Sequence, residues 1–226
     1  MPIALNDPSL PPLGRIFCAA VNYVAHREEM GRAATKKPML FIRTPASLVM
    51  PGEAVVKPAA SDKFDYEGEL ALIIGTPGRR ISRERALDHV LGWTCFMDGT
   101  ARDWQSHTAQ FTPGKNFDRS GAIGPHVVTA AEFGDYKAHT LVTRLNGEEV
   151  QRTGIDLMLF DAETLIEYIS AFTELRPGDI IATGTCGGVG QKRVPPLFMF
   201  PGDTVEVEVD GIGVLASRIV AEQIVA

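Results

Sequence analysis

Cysteine is scarce in this chain: Cys18, Cys95 and Cys186 are the only three in 226 residues, far apart and without CxxC spacing. An odd, scattered set suggests neither a disulfide framework nor a thiolate metal site, and a reducing cytoplasm is the expected location. The five histidines have no HxxxH-type pair, which leaves zinc poorly supplied with ligands. No apolar run approaches the roughly 20 residues of a membrane span. The first residues also lack a basic segment followed by an apolar core, so neither export nor a membrane partner is expected. A surplus of positive charge is missing as well: the formal net charge is -6 and the pI about 5.4. Nucleic acid and anionic membrane both need a basic surface, so neither fits. The arginines at 79, 80, 83 and 85 read as a solvated helix start. Repeats and low-complexity tracts are absent too.

What is present suits one sizeable domain with a substantial core, 45% hydrophobic and 22% charged. Residues 204–209, TVEVEV, alternate valine with polar residues and turn at Asp210-Gly211 into IGVLASRIV, which predicts a hairpin. Asn146-Gly147 predicts a second, between TLVTRL and EEVQ, because Asn-Gly accepts the positive φ of a tight turn. Further strands fit RIFCAAV, MLFIRT, EGELALII, LGWTCFMD and DIIATGT. Helices are few. Residues 161–173 offer Asp161 as N-cap and an apolar face through Leu165, Ile166, Ile169 and Phe172, and residues 82–92 form the other candidate, starting at Ser82. The expected fold class is mixed and β-rich (α+β), with a few packing helices.

The stretch FDYEGELALIIG, residues 64–75, poses a chemical problem. Side chains of a strand alternate faces, so Glu67 and Glu69 share one face, continued by Ala71 and Ile73. The opposite face, Tyr66, Gly68, Leu70, Leu72 and Ile74, is apolar too, so both sides read as buried. Two like charges removed from water are costly and need a cationic partner. Asp98, ending the apolar strand GWTCFMD, supplies a third carboxylate. Three oxygen donors favour Mg²⁺, Mn²⁺ or Ca²⁺ over zinc, and an octahedral ion on three protein ligands keeps positions for water and substrate. The residues leave two other readings open: a solvated groove, or pairing with Arg102 or Lys115.

Other candidates are more local. In NYVAHREEM, His26 and Glu29 lie one helical turn apart, so Glu29 would orient the imidazole as a general base if the segment is helical. In ARDWQ, Arg102 and Gln105 share one side of a short turn. Lys115 lies in a Gly/Pro-rich loop. IATGTCGGVG follows a strand with small residues that let backbone N–H groups and the Thr185 hydroxyl approach an anionic ligand.

Taken together, the order NYxxHxxE, ExE, DxxARDxQ, GKxFD, NGExxQ, LxPGDxIxTGTxxGVG and PGDxVxVEVxGIG, from about Cys18 to Ile219, resembles the fumarylacetoacetate hydrolase family, in its short single-domain form. The resemblance implies a single β-roll catalytic domain over residues 1–226, a homodimer, and one Mg²⁺ or Mn²⁺ held by Glu67, Glu69 and Asp98, with Ca²⁺ a structural substitute. It further implies that His26 and Glu29 ride on a mobile lid at about residues 22–36. Arg102, Gln105, Lys115 and Thr185 match positions that hold substrate oxygens or offset developing negative charge. The expected activity is hydrolysis of a C–C bond in a small-molecule 2-oxo acid of the 3-acylpyruvate type. Alternatives are oxaloacetate decarboxylation, isomerisation or decarboxylation of a ring-cleavage product, and a non-catalytic metabolite-binding protein stapled by its metal. The chain departs from the family pattern at Cys186, where Pro is common, at Met97, often Asn, at Ala20, often Gly, and in QRTGIDLM, which lacks the common Asn-Thr pair. The 190–200 stretch adds apolar bulk that would shape a pocket or the dimer contact.

Overall fold

The computed structural model describes residues 1–223. Its centre is the strand Gly68–Ile74, buried along its whole length. It pairs antiparallel with Val90–Met97 on one side and with Ile180–Ala182 on the other. The sheet of eight strands continues outward through Gly121–Thr129 to Ile3–Ala4 at one edge, and through Ile16–Ala20 to Met39–Arg43 at the other. Leu48–Val49 adds to Gly121–Thr129 in parallel. A second sheet, of five strands, carries both predicted hairpins. Its order is Glu148–Gly154, Thr140–Leu145, Thr204–Val209, Gly213–Ala221 and Val55–Lys57. Asn146 and Gly147 have φ of 54° and 82°, the left-handed values that the tight turn requires.

The two-faced burial of the central strand has a simple cause. Leu70, Leu72 and Ile74 join Trp93, Cys95 and Met97 in the larger core, which also takes Val205, Val207 and Val209 from the second sheet. Ala71, Ile73 and Phe96 join Ile16, Cys18, Ile123 and Ile180 in a separate core on the other side. The strand is a wall between two apolar clusters, and its acidic end opens on the second side.

Helix Ala162–Phe172 covers the larger core with Leu165, Ile166 and Ile169, and the Asp161 side chain accepts the Thr164 N–H as its cap. Phe172, expected on the buried face, is exposed and lies edge-on to Tyr168. Residues 82–92 also differ from expectation. Arg83–His89 is a 3-10 helix, Ser82 makes no side-chain cap bond, and Val90 already begins the strand. Only Ala86 of this turn is buried, too little apolar surface to stabilise a full α-helix. In the 190–200 segment Met199 packs into the core while Val194 is 98% exposed. Among the described residues no helix is long and apolar enough to cross a membrane.

The two sheets meet closely at Gly68, where a Cβ would overlap Thr143 Oγ1 and come within 3.3 Å of Val207 Cγ1. Overpacking of this kind costs about 1–3 kcal/mol. We therefore expect Gly68→Ala to lower the urea midpoint by that stability difference at unchanged m-value; an unaltered midpoint would contradict the close approach.

Candidate metal centre and active site

Strand register builds the acidic cluster. The pairs Gly68–Met97 and Glu69–Phe96 set the ladder, and the Asp98 N–H donates to the Glu67 carbonyl at 2.8 Å, extending it by one residue. Asp98 therefore lies opposite Glu67, and directly opposed residues of a sheet project from the same face. Glu67, Glu69 and Asp98 are all buried, and each offers a carboxylate oxygen within 4.8 Å of the others.

The surrounding cations neutralise this cluster unevenly. Lys115 Nζ donates to Glu67 Oε2 at 2.7 Å and to Asp98 Oδ2 at 2.5 Å. Arg102 Nη2 lies 2.7 Å from Glu67 Oε1 without hydrogen-bond alignment, while its Nε donates to Asp65 at 2.8 Å. Burial pushes the Glu67 carboxyl up, but Lys115 and Arg102 chiefly outweigh it and bring it down to about 2. Glu69 has the opposite balance. Burial, then Asp98 and Glu67, hold its pKa well above the usual carboxylate range, and the charge of Lys115 with the hydrogen bond from Gly184 N–H at 2.8 Å offsets only part of this. Pairing with Arg102 and Lys115, left open by the sequence, is thus realised for Glu67 but leaves Glu69 short of positive charge. An all-oxygen donor set with surplus negative charge suits a hard divalent cation, and Glu67, Glu69 and Asp98 are the residues that would hold it.

A cavity of about 580 Å³ opens above the cluster, with His26, Lys115, Arg102, Gln105 and Thr185 on its walls. The segment bearing His26 is a helix, Val24–Glu29. His26 Nδ1 lies 3.2 Å from Glu29 Oε2, and Glu29 Oε1 accepts the Gly188 N–H at 3.0 Å. With Nδ1–H donated to the carboxylate, Nε2 is the nitrogen left with a lone pair. Burial works against the Lys115 ammonium, but Asp98 and Glu67 outweigh it and raise its pKa, so this lysine stays cationic and acts by charge. It is 1% exposed and sits in a helical turn, Thr112–Lys115, where a loop was expected. Arg102 Nη1 donates to Gln105 Oε1 at 3.1 Å. The Thr185 hydroxyl donates to the Gly68 carbonyl at 2.9 Å and accepts from Gln151 at 2.8 Å, so its proton is committed to the backbone. At Cys186 burial pushes the thiol up to about 12, an inert environment.

Four further residues support the site and were not singled out in the sequence. Asn22 donates to the carbonyls of Phe160 and Thr183 and accepts from Phe160 N–H, pinning the root of the His26 helix. Asp65 accepts from Arg102, Gly190 and Gln191. Gln151 accepts from Gly68 N–H and donates to Thr185. Arg43 contacts Asp98 from behind. Asn22 and Gln151 stand inside the NYxxHxxE and NGExxQ patterns, which was their one visible signal. Asp65 and Arg43 carried none.

The fold and this site define an enzyme of one family. The "Fumarylacetoacetate (FAA) hydrolase C-terminal" profile matches residues 15–220, and the chain belongs to the fumarylacetoacetate hydrolase family. The oxaloacetate tautomerase YisK of Bacillus subtilis is 39% identical over 220 residues, covering 96% of this chain and 73% of that protein. The mitochondrial oxaloacetate tautomerase fahd2 of Xenopus laevis is 38% identical over 91% of this chain, which spans only 65% of that relative's length. Among solved structures, fumarylpyruvate hydrolase from Pseudomonas aeruginosa in complex with Mn²⁺ and pyruvate superposes with a TM-score of 0.87. It is 31% identical and covers 98% of this chain and 96% of its own.

A cation bound only by the folded protein stabilises it by mass action, about 2.7 kcal/mol at one hundred times Kd. Mn²⁺ is expected to raise the thermal midpoint of EDTA-stripped protein accordingly, and Glu69→Gln to remove most of that gain. Equal protection of the variant would place the cation elsewhere.

Proposed function

We propose that this enzyme cleaves a 3-acylpyruvate-type 2-oxo acid to pyruvate and a carboxylic acid. The observation that carries the reading is the contact between buried His26 and half-buried Glu29, with His26 on the wall of the same cavity as Glu67 and Glu69, two of the three clustered carboxylates. A divalent cation bound there, Mg²⁺ or Mn²⁺, would supply Lewis-acid polarisation of the 2-oxo acid. His26, oriented through Nδ1 by Glu29, takes a proton from water at Nε2. The hydroxide adds to the distal acyl carbonyl. Collapse of the tetrahedral adduct breaks the bond between that carbon and C3, and the bonding pair moves into the 2-oxo end. Lys115 and Arg102 offset the charge that develops there. The proton held by the imidazole then returns to C3, giving pyruvate.

The similarity to proteins named oxaloacetate tautomerases favours a second reading. There the same imidazole moves a proton between C3 and the 2-oxo oxygen of a smaller acid, no water attacks, and no C–C bond breaks. A cavity of about 580 Å³ has room for the acyl-bearing substrate.

The two readings part in one assay. EDTA-stripped protein restored with Mg²⁺ or Mn²⁺ is given fumarylpyruvate, acetylpyruvate and oxaloacetate separately, with pyruvate, the second acid and the enol form followed. Pyruvate with an equal amount of the second acid supports hydrolysis; enol–keto exchange of oxaloacetate with no acid released replaces it with tautomerisation. A positioned general base contributes about 10² to 10⁴-fold, so His26→Ala is expected to lose that much kcat. Turnover retained in that variant would remove His26 from the mechanism.

A further inference from the structure

Arg43 is 0% exposed and ends the edge strand Met39–Arg43, with its guanidinium behind the acidic cluster and outside the cavity lining. All five of its N–H donors are used. Nε donates to Ser47 Oγ at 3.0 Å, Nη2 to the Ser47 carbonyl at 3.1 Å and to Ser120 Oγ at 2.8 Å, and Nη1 to the Gly99 carbonyl at 3.0 Å and to Asp98 Oδ1 at 2.5 Å. Four of these acceptors are uncharged groups on three separate segments, and they fix the plane of the fork. The fifth is one oxygen of a carboxylate whose other oxygen, Oδ2, accepts from Lys115 Nζ, the same ammonium that donates to Glu67 Oε2. Asp98 is fully buried, so neither oxygen is open to bulk solvent.

We propose that Arg43 is a positioning residue for the metal centre: by holding Asp98 Oδ1, it makes this carboxylate present Oδ2 alone, in one orientation, to the cation. The inference rests on the reading that Glu67, Glu69 and Asp98 bind a divalent ion. Its sign is informative. A fixed positive charge near the centre repels a cation, so on charge alone removing Arg43 would tighten binding. If the orienting effect dominates, removal weakens binding, as loss of groups that support metal ligands does by about 10–100-fold. Lysine keeps the charge on a single donor nitrogen without the planar fork, and should restore part of the effect.

The test uses Mn²⁺ as the probe, with free Mn²⁺ followed by its paramagnetic resonance signal during titration of the EDTA-stripped full chain. Arg43→Met is expected to bind Mn²⁺ about 10–100-fold more weakly than wild type, Arg43→Lys to fall between the two, and the bound-Mn²⁺ spectrum to broaden as the oxygen shell loses its fixed geometry. Ser120→Ala keeps the guanidinium and loosens one of its anchors. It gives a several-fold weakening even if the methionine variant does not fold. Arg43→Met binding as tightly as wild type or more tightly, or a Ser120→Ala protein indistinguishable in affinity and spectrum, overturns the proposal. Wild-type protein that takes up no Mn²⁺ overturns the metal reading with it. Affinity kept in wild type and unchanged across the variants removes Arg43 alone.

Discussion

One backbone hydrogen bond, from Asp98 N–H to the carbonyl of Glu67, governs the chemistry of this molecule. It continues the antiparallel ladder one step beyond Gly68 and Met97 and so turns three acids from two strands toward a single point. A shift of that register by one residue would send Glu67 and Glu69 into the larger apolar core and bring Leu70 to the site. The register is held from both faces, because Leu70, Leu72 and Ile74 pack one way and Ala71 and Ile73 the other. Packing of two cores thus fixes where the charges go.

Burying those charges imposes the rest of the design. Asp65, Glu67, Glu69 and Asp98 share a buried region with Arg43, Arg102 and Lys115, and every cation contacts at least one carboxylate. Breaking one partner of a buried pair leaves an uncompensated charge, at a cost of about 3–5 kcal/mol. The network is therefore sensitive to any single loss, and its uneven balance concentrates the deficit on Glu69. Affinity for a cation and folding stability are linked through the same side chains.

Much of this was legible in the sequence wherever the signal is local. Period two marked the strand Gly68–Ile74 as buried on both sides, although Phe64–Asp65 forms a separate short strand, Asp210-Gly211 and Asn146-Gly147 marked the hairpins, and Asp161 with Leu165, Ile166 and Ile169 marked the main helix. The spacing of His26 and Glu29 marked the dyad contact once a helix was assumed. What stayed hidden depends on distant partners. Arg43 is 55 residues from Asp98 in sequence, Asp65 is 125 from Gly190, and an isolated Arg at the end of MLFIR looks like any strand terminus. Lys115 read as a loop residue because Gly and Pro surround it, yet the acids draw it inward. Residues 82–92 had a helical pattern too weak to prevail over the strand that starts at Val90.

Glu29 grips two groups at once, the imidazole of His26 through one oxygen and the Gly188 N–H of the glycine-rich loop through the other. The two contacts form an interlock. His26 and Glu29 both belong to the helix Val24–Glu29, so their contact travels with that helix, while the Gly188 N–H ties the same carboxylate to the loop. The carboxylate's second oxygen is thereby committed to the loop backbone, so the position of the Gly188 N–H sets the direction in which the imidazole is held.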